Sequence, residues 1–174
     1  MSTVRAITVI SDPFVQELEE LFREHSRLVY RTAYSVTGRS QDAEDIVQNL
    51  FLHLLRKGCP PGLQSNPKAY LYRSAVNLSL NVLKSRRRYT DASEIEDSSS
   101  APDTFEKARD VQKQLIDAMA QLHASSVEML ILRYEHGYSD AEIAKLLGKS
   151  RGVVAVTLFR ARARLKKLLS RGTP

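Results

Sequence analysis

The chain is 174 residues long, with 43% hydrophobic and 26% charged residues, and 26 Lys plus Arg against 20 Asp plus Glu leave a net charge of +6. Its single cysteine, Cys59, excludes an intrachain disulfide framework and a cysteine-based zinc cluster. No apolar run approaches the ~18 residues of a membrane span, and Ala6 to Ile10 is too short for a signal peptide. These features fit a cytoplasmic protein with no membrane insertion, whose basic surface suits phosphates or acidic faces.

The charge is unevenly placed. Residues 1–88 hold 13 basic and 8 acidic side chains, a net +5; residues 89–105 hold five acidic and no basic ones; residues 106–174 hold 13 basic and 7 acidic, a net +6. The acidic stretch, with its Ser98-Ser99-Ser100-Ala101-Pro102 run, has too little apolar surface to order itself and reads as a flexible linker. The expected organisation is all-α. It has a helical domain at 11–88, an acidic linker at 89–105 and a helix-turn-helix domain at 106–171.

In chain order, the first helix begins at Ser11-Asp12-Pro13, a cap followed by a proline suited to the first helical position. Phe14, Leu18, Leu21, Leu28, Ala33 and Val36 form its stripe, and Gly38 ends it. Ser40 is the expected cap of the second helix, with Asp42, Glu44 and Asp45 in its first turn, where the helix dipole favours negative charge. Ile46, Val47, Leu50, Phe51, Leu54 and Leu55 form its expected buried side, and Gly58 to Gly62 its following loop. Asn66-Pro67 starts a third helix, with Leu71, Ala75, Leu78 and Val82 on one face. In the second unit, Asp103 with Glu106, Ser125 with Glu128 and Ser139 with Glu142 are spaced as capping boxes. The stripe of the first of these helices is Phe105, Ala108, Val111, Leu115, Ala118, Met119 and Leu122. Gly137 and Gly148 read as helix stops, and Ser150 caps the last helix, which reaches about Leu169.

The segment from Asp140 to Arg164 carries the clearest chemistry. A helix-turn-helix needs a small residue at the crossing of its helices, a turn residue tolerant of left-handed dihedrals, and an apolar side chain docked back into the first helix. Ala144, Gly148 and Val154 stand at those positions. The following helix carries Arg151, Arg160, Arg162, Arg164, Lys166 and Lys167, which suits a major groove flanked by phosphates. An ordinary helical hairpin with a solvated basic face is the plainer reading. The run Lys84 to Arg88 ends the third helix, where it also satisfies the helix dipole. Asn77, Asn81, Tyr70, Tyr72 and Tyr89 lie near it; amides, aromatics and positive charge are what unstacked single-stranded bases require, although core packing accounts for tyrosines equally well. Asp42, Asp45 and Gln48 share a helix face, either solvated or a dock for a basic partner. His25, His53, His123 and His136 share no metal-ligand spacing, so neither metal, cofactor nor catalysis is expected.

Three stretches together resemble the extracytoplasmic-function (ECF) group of RNA polymerase sigma factors, in the sigma-70 superfamily. They are Asp42-Ala43-Glu44-Asp45-Ile46-Val47-Gln48 with Phe51-Leu52; Asn66-Pro67-Lys68-Ala69-Tyr70-Leu71-Tyr72-Arg73 with Asn77-Leu78; and Leu132-Arg133-Tyr134 through Ala141-Glu142-Ile143-Ala144 to Arg160-Ala161-Arg162-Ala163-Arg164-Leu165. The resemblance implies that Asp42, Asp45, Gln48 and Phe51 face core RNA polymerase. It implies that Asn66, Tyr70, Tyr72, Arg73, Asn77, Asn81, Lys84, Arg86, Arg87 and Arg88 handle the opened minus-ten strand. Ser150, Arg151, Gly152, Val153, Ala155, Val156, Phe159 and Arg160 would then read the minus-thirty-five duplex. An anti-sigma factor is the further implied partner. The family often has tryptophans near Leu55 and at Tyr70, and charged or hydroxyl residues where Ala155, Val156 and Thr157 stand; base readout here would lean on backbone amides, thymine methyl contacts and Arg160. The rival reading is a dimeric helix-turn-helix regulator that binds duplex DNA without polymerase.

Overall fold

A computed structural model describes residues 13–90 and 103–171. Among them all regular structure is helical: α1 (Pro13–Thr37), α2 (Ser40–Lys57), α3 (Pro61–Ser65), α4 (Pro67–Thr90), α5 (Asp103–Met119), α6 (Ala124–Tyr134), α7 (Asp140–Leu147) and α8 (Arg151–Arg171). The expected Ser11–Asp12 cap and residues 91–102 of the expected acidic linker lie outside the described residues, while its two ends, 89–90 and 103–105, belong to α4 and α5. The side chains of Asp103 and Glu106 also lie outside the described residues, although α5 does begin at Asp103.

α1, α2 and α4 form the first bundle. Leu18, Leu21 and Val29 of α1 pack on Leu50, Phe51 and Leu54 of α2, with Leu71 and Ala75 of α4 beneath. Leu54 is almost wholly buried, and its truncation to Ala would cost about 2–5 kcal/mol. α1 stops at Gly38, whose φ of +70° suits a residue without Cβ. The α2 cap differs from expectation. Arg39 occupies the N-cap in extended conformation and makes no side-chain cap bond, while Ser40 is already helical. A short helix, α3, replaces the second half of the expected loop, begun by Pro61 and anchored by buried Leu63. Asn66 does cap α4: its Oδ1 accepts the Ala69 N–H at 3.0 Å.

α4 buries two faces rather than one. Leu71 and Ala75 point into the first bundle, with Leu78 and Val82 half-buried beside them. Tyr72, Val76, Leu80 and Leu83 form a second stripe, which joins the core of α5–α8. Ser79 is also buried, where its hydroxyl donates to the Ala75 carbonyl at 2.7 Å, so its burial leaves no donor unmet.

In the second bundle Val127, Leu132, Ile143, Leu147, Val154 and Leu158 make the core. The expected Ser125–Glu128 capping box is absent. His123 is the N-cap of α6, its Nδ1 accepting the Ser125 N–H at 3.3 Å, and Glu128 is buried. Among the described side chains of α5, the apolar stripe is buried at its C-terminal end, whereas Val111 stays 64% exposed and Leu115 38%.

Candidate polymerase and nucleic-acid interfaces

On α2, Asp45 and Gln48 lie on the outer face and are exposed. The two other expected docking residues are not presented. Asp42 is half-buried and its carboxylate pairs with the Arg86 guanidinium of α4. Phe51 is buried and meets Phe22 edge-on, ring centroids 5.0 Å apart. Leu55, expected inside, is 47% exposed beside Leu52 at 43%. With Gln48 these leucines follow at spacings of four and three residues, which puts them on one face. The outer face of α2 is therefore acidic at its start and apolar further on.

The expected minus-ten residues line α3–α4. Asn66, Tyr70, Arg73 and Asn77 border a cleft of about 360 Å³ whose far wall is Leu146, Leu147 and Gly148. Across it, Arg73 Nη2 donates to the Leu147 carbonyl at 2.5 Å and Asn66 Nδ2 to that of Leu146 at 3.3 Å. These are orphan carbonyls at the end of α7, where a cation also meets the negative pole of the helix. Tyr72 is wholly buried, and its hydroxyl donates to the Glu128 carbonyl at 2.5 Å. Burial, then the Glu128 charge, hold the phenol well above its ordinary pKa. Burial also raises the Glu128 carboxyl, against the pull of Arg73, Lys149 and His123. In this arrangement Tyr72 has no face free for stacking, contrary to expectation. Arg86 is likewise engaged by Asp42, and burial followed by neighbouring Arg39 lowers its guanidinium pKa. Asn77, Asn81, Lys84, Arg87 and Arg88 remain exposed along α4.

The helix-turn-helix is built as the spacing predicts. Ser139 Oγ accepts the Glu142 N–H at 3.3 Å while Glu142 Oε2 accepts the Ser139 N–H at 2.8 Å. Hydrogen bonds from the Ser139 hydroxyl and N–H lower the Glu142 carboxyl pKa. Ala144 sits buried at the crossing, Gly148 turns the chain at φ +65°, and Val154 is wholly buried against α7. Ser150 Oγ caps α8 through the Val153 N–H at 3.3 Å. Arg151, Gly152, Val153, Ala155, Val156, Phe159 and Arg160 are all exposed on the outer side of α8. Phe159 is 67% exposed and Val153 and Val156 48% each, so apolar surface is grouped on this side of α8. A brace missed at the sequence level is the bond from Arg162 Nη1 to the Tyr134 hydroxyl at 3.1 Å. Its partners lie 28 residues apart, beyond any helical periodicity.

The family model described as Sigma-70 region 2 matches residues 21–89, and that described as Sigma-70, region 4 matches residues 112–165. The ECF RNA polymerase sigma factor SigM of Mycobacterium tuberculosis is 31% identical over 154 residues, spanning 87% of this chain and 76% of that protein. The RNA polymerase sigma factor CarQ of Myxococcus xanthus is 29% identical over 157 residues, spanning 87% of this chain and 88% of its own. Among solved structures, the sigma factor RpoE of Bartonella quintana, in complex with the anti-sigma factor NepR, superposes with a TM-score of 0.51 at 25% identity, covering 91% of this chain and 100% of that one. CnrH, bound to the cytosolic domain of CnrY, shares the fold at a TM-score of 0.50 and 22% identity, covering 91% of this chain and 90% of that one. Two helical units matched in this order, the second of them a helix-turn-helix, leave the dimeric regulator without support: the chain belongs to the ECF group of sigma-70 RNA polymerase sigma factors, which direct promoter recognition and transcription initiation.

Proposed function

We propose that α2 docks on core RNA polymerase through Asp45 and Gln48, with Leu52 and Leu55 as the apolar part of that contact. α3–α4 holds the opened minus-ten strand through Asn66, Tyr70, Arg73, Asn77 and Asn81, with Lys84, Arg87 and Arg88 on its phosphates. α8 enters the major groove at the minus-thirty-five element, where Val153, Val156 and Phe159 meet thymine methyls and Arg160 meets a base edge or phosphate. The polymerase performs the chemistry and this chain performs none. The place of work is the cytoplasm; among the described residues no helix is long and apolar enough to cross a membrane. The similar sigma factor RpoE of Bartonella quintana is held by the anti-sigma factor NepR, and an anti-sigma partner is proposed here.

The observation that carries the reading is the outer side of α8, basic and apolar together and exposed beyond an intact helix-turn-helix. The test is run-off transcription with bacterial core polymerase across a library of candidate promoters. A new, factor-dependent start site supports the reading. Tight duplex binding with no polymerase association at low salt would overturn it. Asp45→Arg should abolish polymerase binding at unchanged helical content, and unchanged binding would refute the α2 dock.

A further inference from the structure

We propose that the packing of α4 on α6 and α7 is an intramolecular clasp, which withholds the strand-holding residues of α4 while leaving the minus-thirty-five face of α8 open. The clasp rests on the promoter roles proposed above. Its chemistry is competitive. Arg73 and Asn66, needed for the strand, are spent on the Leu147 and Leu146 carbonyls, and Tyr72 is sealed beneath Glu128. Beneath these bonds the Tyr72, Val76, Leu80 and Leu83 stripe is buried with the second bundle, so closure also removes apolar surface from water.

Polar contacts close the rim. Arg31 Nη2 lies 3.2 Å from Glu135 Oε1. The Thr32 hydroxyl and His136 Nε2 share a hydrogen bond at 3.0 Å. The Lys68 ammonium stands 5.4 Å from the centre of the Tyr138 ring. By contrast, the outer residues of α8 and the Asp45–Gln48 face of α2 are exposed. Reach makes opening obligatory. Elements named minus-ten and minus-thirty-five lie about 25 base pairs apart, roughly 85 Å along B-DNA. A compact chain of this size is only about 40 Å across, and α4 and α7 touch through direct hydrogen bonds. The closed chain therefore engages at most one element, and the one left accessible is the minus-thirty-five duplex.

The test uses the full chain with Cys59→Ser, Arg31→Cys and Glu135→Cys, a rim pair that is half-exposed in the closed chain, joined by a short cleavable bismaleimide. The probes are a fluorescent minus-ten non-template strand and a minus-thirty-five duplex, both taken from a promoter transcribed in the run-off assay. The linked protein should lose at least tenfold in strand binding and all run-off activity. It should keep duplex affinity within about twofold, and cleaving the linker should restore the rest. Failure to link, or undiminished strand capture by the linked protein, overturns the clasp; loss of duplex binding overturns its selectivity. A second route is Arg31→Glu, which should raise strand affinity about twofold, the range of one half-exposed ion pair, with Glu135→Arg in the same chain reversing the gain. No gain, or no reversal, counts against the clasp. If the unlinked chain drives no transcription, the promoter reading fails instead; the yield of linking still reports closure.

Discussion

At single residues, the helix-turn-helix rests on three side chains whose demands are opposite. Ala144 must be small, Gly148 must turn left-handed at φ +65°, and Val154 must fill the space between them. Ala144→Leu forces extra methylenes into a closed crossing, so it should cost about 1–3 kcal/mol, read as a lower urea midpoint, and weaken duplex binding with it. Arg160→Ala leaves the core untouched. It should weaken minus-thirty-five duplexes by about 1–3 kcal/mol without moving the urea midpoint. Unchanged duplex affinity would mean that α8 docks by another face. These residues were legible in the sequence because each acts within a few positions of its partner. The Ser125–Glu128 pair misled for the same reason. Its spacing is right for a cap, but Glu128 is buried beside Tyr72 and Arg73, and His123 takes over the cap two residues before Ser125.

Among the helices, α4 departs furthest from what its sequence predicts. Its first face, Leu71 and Ala75, is visible as a helical period. Its second, Tyr72, Val76, Leu80 and Leu83, is not, because its partners lie across the acidic segment and no local spacing announces them. The basic end of α4 divides in a similar way. Arg86 is committed to Asp42 on α2, whereas Arg87 and Arg88 are exposed. Replacing Arg87 and Arg88 with Ala should lower the salt slope of single-strand binding by about 0.7 for each phosphate no longer neutralised. Arg86→Ala should instead leave the half-buried Asp42 carboxylate unpaired, costing about 1–3 kcal/mol in urea unfolding with little effect on that slope. An equal fall in slope for Arg86→Ala would place its guanidinium on phosphate. α2 shows the same limit of periodicity. Phe51 and Leu55 lie only four residues apart, yet one is core and the other surface, a difference decided by where α1 lies.

Across the whole molecule, the two bundles meet over a rim that titrates. His136 faces Thr32, Tyr72 and Tyr138, with Arg31, Glu135 and Lys68 near enough to act on it. Burial, then Arg31, lowers its imidazole pKa below the ordinary 6.5, with Glu135 opposing. A group whose pKa is lowered on closure favours closure while neutral. Closure should therefore be full above the ordinary imidazole value and weaken as pH falls through the lower closed-state value. Small-angle scattering should show the particle expanding over that range, and His136→Gln should remove the transition. An expansion unaltered by His136→Gln would assign it to another group. Charge patterning alone marks out two basic units and an acidic tether; it holds no sign that the units pack together, since their junction is mostly apolar.

The second face of α4 also bears on how long the molecule lasts. When the bundles part, Tyr72, Val76, Leu80 and Leu83 come to water as one apolar strip about three turns long. Such a strip invites self-association, chaperones and proteases. The shape fit for promoters is thus the shape least fit to drift alone. A copy released from its work recloses or is removed, so the same four side chains that hold the resting molecule together also set a clock on the spent one.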